Sequence, residues 1–229
     1  MSDTNLALFM GDKSGQMPAH IAAQPAALGN ENLDAKDFAI PTIKVLQGLS
    51  PECEEVAGAK PGKLFNTITK ELFDKLYVIN LKYDREYTIF KKRTLGGGFH
   101  GTYPSLDAAN AHASTLPGAI ADYEITETAK HVVLVLNEKG EAQYPAVMYF
   151  SSSALEQSRV WNSSIQLCGK DSPRFARVWE LGVLKRENAK GKWFVPNTTD
   201  MGWAPEGLYK IAKEHYDRFS SEKKEPAAA

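Results

Sequence analysis

Leu76-Tyr-Val-Ile-Asn-Leu-Lys-Tyr-Asp-Arg-Glu-Tyr-Thr-Ile-Phe-Lys-Lys92 is the stretch whose reading decides the fold. It is rich in β-branched and aromatic residues, contains no Gly or Pro, and alternates with period two rather than 3.6. One face of such a strand is expected to carry Tyr77, Ile79, Leu81, Tyr83, Arg85, Tyr87 and Ile89. The other would carry Leu76, Val78, Asn80, Lys82, Asp84, Glu86, Thr88 and Phe90. A strand of this length does not stay flat, so a bend or bulge is expected near Asp84.

Toward the N-terminus, Lys63-Leu-Phe-Asn-Thr-Ile-Thr-Lys70 alternates in the same way. Ile40-Pro-Thr-Ile-Lys-Val-Leu-Gln47 reads as a first strand, with Pro41 near its start, where a missing donor is tolerated. An acidic Pro/Gly loop over 50–62 joins the two. Residues 1–36 show no sustained period and read as a flexible arm, with a short helix expected around 19–27. Toward the C-terminus, 94–101 is a glycine loop and 105–115 a short helix. Strands are expected over 123–128, 131–136 and 143–150, the last two forming a hairpin through Asn137-Glu-Lys-Gly140. Residues 153–167 have helical spacing, with a capping box from Ser153 to Glu156 and a stop at Gly169. A second hairpin is expected from 178–185 and 192–196. A final helix over 205–219 would bury Leu208, Ile211, Ala212, His215 and Phe219, leaving 220–229 as a flexible tail. Strands mostly joined by hairpins, with two or three helices, predict a β-rich α+β domain over 37–219 built on an antiparallel barrel or a strongly bent sheet.

The net charge of −1 hides an alternation. Residues 60–93 hold 9 basic and 4 acidic side chains, and residues 159–192 hold 8 and 3. The flanking segments are acidic. Cys53 and Cys168 are the only cysteines, too far apart for a zinc module of ordinary spacing and too few for a disulfide framework. The first ten residues lack the basic leader and apolar run of a signal peptide, and no stretch approaches the roughly 20 apolar residues that span a bilayer. No membrane partner is therefore expected, and the chain is read as soluble and cytoplasmic.

Signatures of catalysis are weak. Gly96-Gly-Gly-Phe-His-Gly101 satisfies G-x-G-x-x-G, but Thr102-Tyr-Pro104 follows it where a dinucleotide site requires a helix to open. The histidines show no metal spacing, Ser151-Ser-Ser153 is no nucleophile elbow, and Glu52, Glu54 and Glu55 read as a solvated loop. No enzyme activity, cofactor or metal is expected. What remains is the pairing of cations with rings in both basic blocks. Proteins that hold single strands need that mixture: cations follow the phosphates, and each unstacked base gains about 1–3 kcal/mol on an aromatic face. The residues expected to bind are Lys63, Phe65, Lys82, Tyr83, Arg85, Tyr87, Lys91, Lys92, Arg93, Phe99, Tyr103, Lys185, Arg186, Lys192 and Trp193. For them to act as one groove, the two blocks must meet in space.

The segments 40–47, Ser50-Pro51 and Gly62-Lys-Leu-Phe-Asn-Thr-Ile-Thr-Lys-Glu71, taken with the long strand, the glycine loop and the closing helix, resemble single-stranded DNA-binding replication proteins of tailed bacteriophages, mainly podoviruses. The likeness runs over 38–219. It implies an oligonucleotide-binding (OB)-like barrel elaborated with helices and a role in coating displaced DNA during replication and recombination, with replication or recombination proteins as further partners. It places the chain in the host bacterial cytoplasm. Many such proteins end in an acidic recruiting tail, whereas Ser221-Glu-Lys-Lys-Glu-Pro-Ala-Ala-Ala229 is mixed in charge. Two competing readings are a phage structural or assembly component and a nuclease or recombination enzyme with dispersed carboxylates. The sequence leaves the oligomeric state open.

Overall fold

A computed structural model describes residues 28–32, 37, 39–189 and 191–221. The chain divides into two units, Met1–Ala39 and Ile40–Ala229. In the first, the Gly29 amide donates to the Glu31 carboxylate at 3.0 Å. The helix expected around 19–27, most of the 1–36 arm and the end of the C-terminal tail lie outside the described residues.

The second unit is a β-rich α+β fold. Its elements run β1 (Ile43–Val45), α1 (Glu52–Glu55), β2 (Leu64–Asn66), β3 (Leu72–Phe73), β4 (Leu76–Lys91), β5 (Phe99–Tyr103), α2 (Leu106–Ala113), β6 (Tyr123–Leu136), β7 (Ala142–Ser151), α3 (Leu155–Cys168), β8 (Arg177–Asn188), β9 (Gly191–Trp203) and α4 (Glu206–Ser221). The main sheet runs β7-β6-β4-β8-β9, with β5 added to β4, and every ladder in it is antiparallel. A small sheet, β1-β2-β3, accompanies it.

The long strand is bulged, but at Leu81 rather than near Asp84. Asn80 faces Val133 and Lys82 faces Val132, so Leu81 is the inserted residue. Side-chain alternation has a period of two, so one extra residue exchanges the faces beyond it. Tyr77, Ile79 and Leu81 therefore do not continue into Tyr83, Arg85, Tyr87 and Ile89 as the simple alternation predicts. Val78 and Asn80 share the face of Tyr83, whose cross-strand neighbour is His131. That face is covered by α3, through Trp161, Leu155 and Ile165, and farther along by Ala109 and Ala113 of α2. The opposite face buries Ile79, Leu81, Val132 and Leu134 beneath Leu208, Tyr209, Ala212 and Phe219 of α4. Ile211, expected in the buried stripe of α4, is exposed.

Three local expectations change. Residues 123–136 form one continuous strand instead of two, because β4 pairs with it from Tyr123 to Leu136, with β7 added on the other side from Thr128 onward. The β8–β9 hairpin is longer than the apolar pattern suggested, since ladder pairing carries it through polar residues out to Asn188 and Gly191. The capping box at Ser153 does not form: β7 runs through Ser151, a 3-10 turn occupies Ser152–Ala154, and no side chain caps α3. Ser105 does cap α2, accepting from the Ala108 amide at 3.1 Å.

The sheet curls, and β1 spans the gap between its outer strands. The Val147 amide of β7 donates to the Pro41 carbonyl at 2.8 Å, and Thr42 makes a parallel bridge to Val147. On the other flank the Gln47 amide group brackets Phe194 of β9, donating to its carbonyl at 2.7 Å and accepting from its amide at 2.9 Å. Gly62 lies against the same ring; a Cβ there would stand 2.9 Å from Phe194, and its φ of +91° suits glycine. No continuous ladder closes the sheet into a barrel among the described residues. No helix among them is long and apolar enough to cross a membrane.

Candidate nucleic-acid interface

Strand β4 has one fully paired edge and one interrupted edge. β6 covers the first from Tyr77 to Lys91. On the second, β8 pairs with Leu76–Ile79 and β5 with Tyr87–Phe90, so 80–86 has no strand beside it. A 3-10 turn, Arg174–Ala176, packs against this gap. Arg174 donates to the Asn80 side-chain oxygen at 3.2 Å and to that of Asn162 at 2.8 Å, with its guanidinium 5.5 Å from the Tyr83 ring centroid. Leu81, Lys82, Tyr83, Pro173, Arg174, Phe175 and Tyr216 line an open cavity of about 500 Å³ here.

Beyond the gap, β4 continues into an aromatic and cationic end. Phe90 is 42% exposed and Phe99 64%, and their ring centroids are 6.0 Å apart. Between them in sequence come Lys91, the exposed Lys92 and Arg93, and three glycines with positive φ that turn the chain back into β5. Among the described residues, no acidic side chain pairs with these three cations. Phe90 is not among the expected binding residues, although the alternation places it among polar side chains. Its exposure follows from that same placement.

The other expected residues divide. Arg85 is exposed beside Tyr83 and Tyr87, with Glu127 at 3.3 Å. Hydrogen bonding to Tyr83, then to Tyr87, raises its pKa above the ordinary arginine value. Lys82 reaches the Phe219 carbonyl at 3.3 Å and Asp84 at 3.6 Å. Tyr87 and Tyr103 pack with Ile89 and Tyr123, and the Tyr103 ring stacks on His112. Lys63 pairs with Asp74 at 2.5 Å. Phe65 is a correction. It is fully buried with Leu46 and Ala59, beneath the ammonium groups of Lys44 and Lys70, and offers no face to a base.

The two basic blocks do not form the single groove that the sequence reading requires. β8 runs antiparallel to β4 with Leu181 opposite Leu76, so Lys185 and Arg186 continue past the N-terminal end of β4. Arg85 and Lys91–Arg93 lie toward its C-terminal end. Charge alternation along a chain carries no information about strand direction, and here direction separates the blocks. Lys185 and Lys192 flank Glu187 at 3.5 and 3.7 Å. Arg186 and Trp193 meet Arg159 and Glu156 at the start of α3. Arg174, by contrast, joins Lys82 and Tyr83 although it is 91 residues from Tyr83 in sequence; only folding reveals that meeting.

The family model described as Pam3 phage gp34-like protein matches residues 11–225 of the chain. No curated protein and no solved structure matches it.

Proposed function

The chain belongs to the Pam3 phage gp34-like family and is a bacteriophage protein; from that premise we propose that it binds single-stranded DNA without strong sequence preference, in phage replication or recombination, and without catalysis. The observation that carries this reading is the exposed Phe90–Phe99 pair beside Lys91, Lys92 and Arg93. Large apolar rings held at a surface beside unpaired cations cost solvation and give the free protein little packing in return. Against a single strand both are used, the rings for bases and the cations for phosphates. Lys82, Tyr83 and Arg85 at the gap in β4 extend the same chemistry toward the middle of the strand. The curled sheet with β1 bridging its outer strands supports an OB-like ancestry, a fold that binds oligonucleotides on its sheet face and loops.

The test is fluorescence anisotropy of labelled oligo-dT at 50 mM salt, with duplex DNA as competitor. Binding to the single strand that duplex displaces poorly, and that Phe99→Ala weakens, is the expected result. No change in anisotropy at micromolar protein would remove the proposal.

A second reading, an assembly component of the phage, is favoured by Met201 and the 60% exposed Trp203, which border a cavity of about 450 Å³ with Leu208 and Tyr77. Sedimentation without nucleic acid distinguishes the two, because assembly would show as concentration-dependent growth of the species. The nuclease reading has no such observation behind it; cleavage of labelled DNA with magnesium or manganese would revive it.

A further inference from the structure

We propose that the cavity at the interrupted edge of β4 binds one nucleoside monophosphate unit, its phosphate held by Arg174 and Lys82 and its base lying against Phe175 and Tyr216. This cavity shares Lys82 and Tyr83 with the surface proposed for the polymer, but the inference rests on how Arg174 is held and not on the polymer reading.

The starting point is how Arg174 is held. A guanidinium has five N–H donors. Two are taken by the Asn80 and Asn162 oxygens, and one face lies over Tyr83. Its partners among the described residues are these two amide oxygens and the Tyr83 ring, with no carboxylate among them. Burial lowers its pKa from the ordinary arginine value, the direction expected for a cation taken out of water without a counter-ion. Amide oxygens orient such a cation but neutralise none of its charge, and a half-buried charge of this kind is costly until an anion reaches it.

The turn presenting Arg174 is braced. The Ala176 amide donates to the Pro173 carbonyl at 3.0 Å, and the Ala204 amide to the Ala176 carbonyl at 2.9 Å. The guanidinium is thus fixed before any ligand arrives, which reduces the ordering cost of binding. Lys82, whose ammonium also reaches Asp84 at 3.6 Å, brings a second cation to the same space, which a phosphate would share with that carboxylate. The remaining wall is apolar: Leu81, Pro173, and the Phe175 and Tyr216 rings, whose centroids are 5.1 Å apart. Two cations at one side of an apolar-walled space select a ligand that has an anionic end and a flat apolar body. The volume of about 500 Å³ falls within the usual range of small-molecule sites, about 300–1,000 Å³. A nucleoside monophosphate has that chemistry, whether free or as one unit of a strand.

Isothermal titration of the full chain at low salt with dTMP, thymidine, inorganic phosphate and oligo-dT tests the inference and separates the sources. The expected result is dTMP binding at least tenfold more tightly than thymidine or phosphate alone, and weakened at least fivefold by Arg174→Gln. Since Arg174 also positions two asparagines, Lys82→Gln is the second variant, with the same direction expected. Equal affinity for dTMP and thymidine, no heat with millimolar dTMP, or dTMP binding undiminished in both variants would each overturn the inference. Oligo-dT binding without dTMP binding sinks this site alone, and dTMP binding without oligo-dT binding sinks only the polymer reading.

Discussion

The imidazole of His131 lies flat on the indole of Trp161, ring centroids 4.7 Å apart and planes within 16°. Its proton is placed by a chain of donors. Arg174 can only donate, so the Asn80 oxygen accepts from it and the Asn80 nitrogen donates to His131 Nδ1 at 2.9 Å. Nε2 therefore carries the hydrogen and donates to the Ser158 hydroxyl at 2.8 Å. A second proton on the ring would set N–H against N–H at Asn80.

Desolvation, with a smaller push from Arg174, lowers the His131 pKa to about 3. The folded state thus holds the ring neutral while the unfolded chain takes up a proton near 6.5. The stability this contributes is complete above pH 6.5 and is lost as pH falls from there toward 3. Wild-type stability is expected to decline between pH 6.5 and 5 by up to about 1.4 kcal/mol per pH unit from this group. Urea unfolding of His131→Gln should show a lower plateau and a flatter slope in that window; an equal slope would refute the assignment.

Phe99→Ala and Phe90→Ala should each weaken oligo-dT binding by about 1–3 kcal/mol, the worth of one stacked base. Both rings are largely outside the core, so Phe99→Ala should leave thermal stability within about 0.5 kcal/mol. Anisotropy and calorimetry on the same samples check both halves.

Lys92→Gln combined with Arg93→Gln removes two cations that no carboxylate among the described residues engages. For single strands each phosphate contact contributes about 0.7 to the slope of log affinity against log salt. The double variant should flatten that slope by about 1.4, with base preference unchanged. A slope equal to wild type would place the phosphate path elsewhere.

Gly62→Ala should destabilise the fold by about 1–3 kcal/mol, through positive φ and a Cβ pressed on the Phe194 ring. Combining it with Phe194→Leu should recover part of the loss, because the smaller side chain yields space. Denaturation midpoints report this coupling directly.

Phe65→Ala is expected to cost about 3–5 kcal/mol of stability, as for any fully buried aromatic side chain. Phe65→Leu, which still folds on that account, should bind oligo-dT like wild type. Weakened binding by the leucine variant would contradict the buried placement.

Much of the secondary structure was legible because it depends on local pattern. The long strand, the hairpin through Asn137–Gly140 and the closing helix announce themselves by period and turn residues. Leu81 shows where that ends. Nothing in its neighbours marks it as the inserted residue, since a bulge is chosen by the register of β6 and not by β4 alone. Phe65 fails for a related reason: an alternating strand shows two faces, and only packing decides that both are covered here, Leu64 in the main core and Phe65 against Leu46 and Ala59. Of the expected binding residues, Arg85, Lys92, Arg93, Phe99, Lys185, Arg186 and Lys192 are exposed, and Phe90 joins them at the surface.

Amino-acid order alone determined that this protein is β-rich, that its rings and cations are interleaved, and that no familiar catalytic spacing is present. These are properties of residue type and short separation. Only the tertiary structure decided that the two basic stretches part company, that Arg174 comes to rest on Tyr83, and that one edge of β4 stays open between β8 and β5. Each of these depends on strand direction and ladder register, which are set when distant segments compete to bury the same apolar surface.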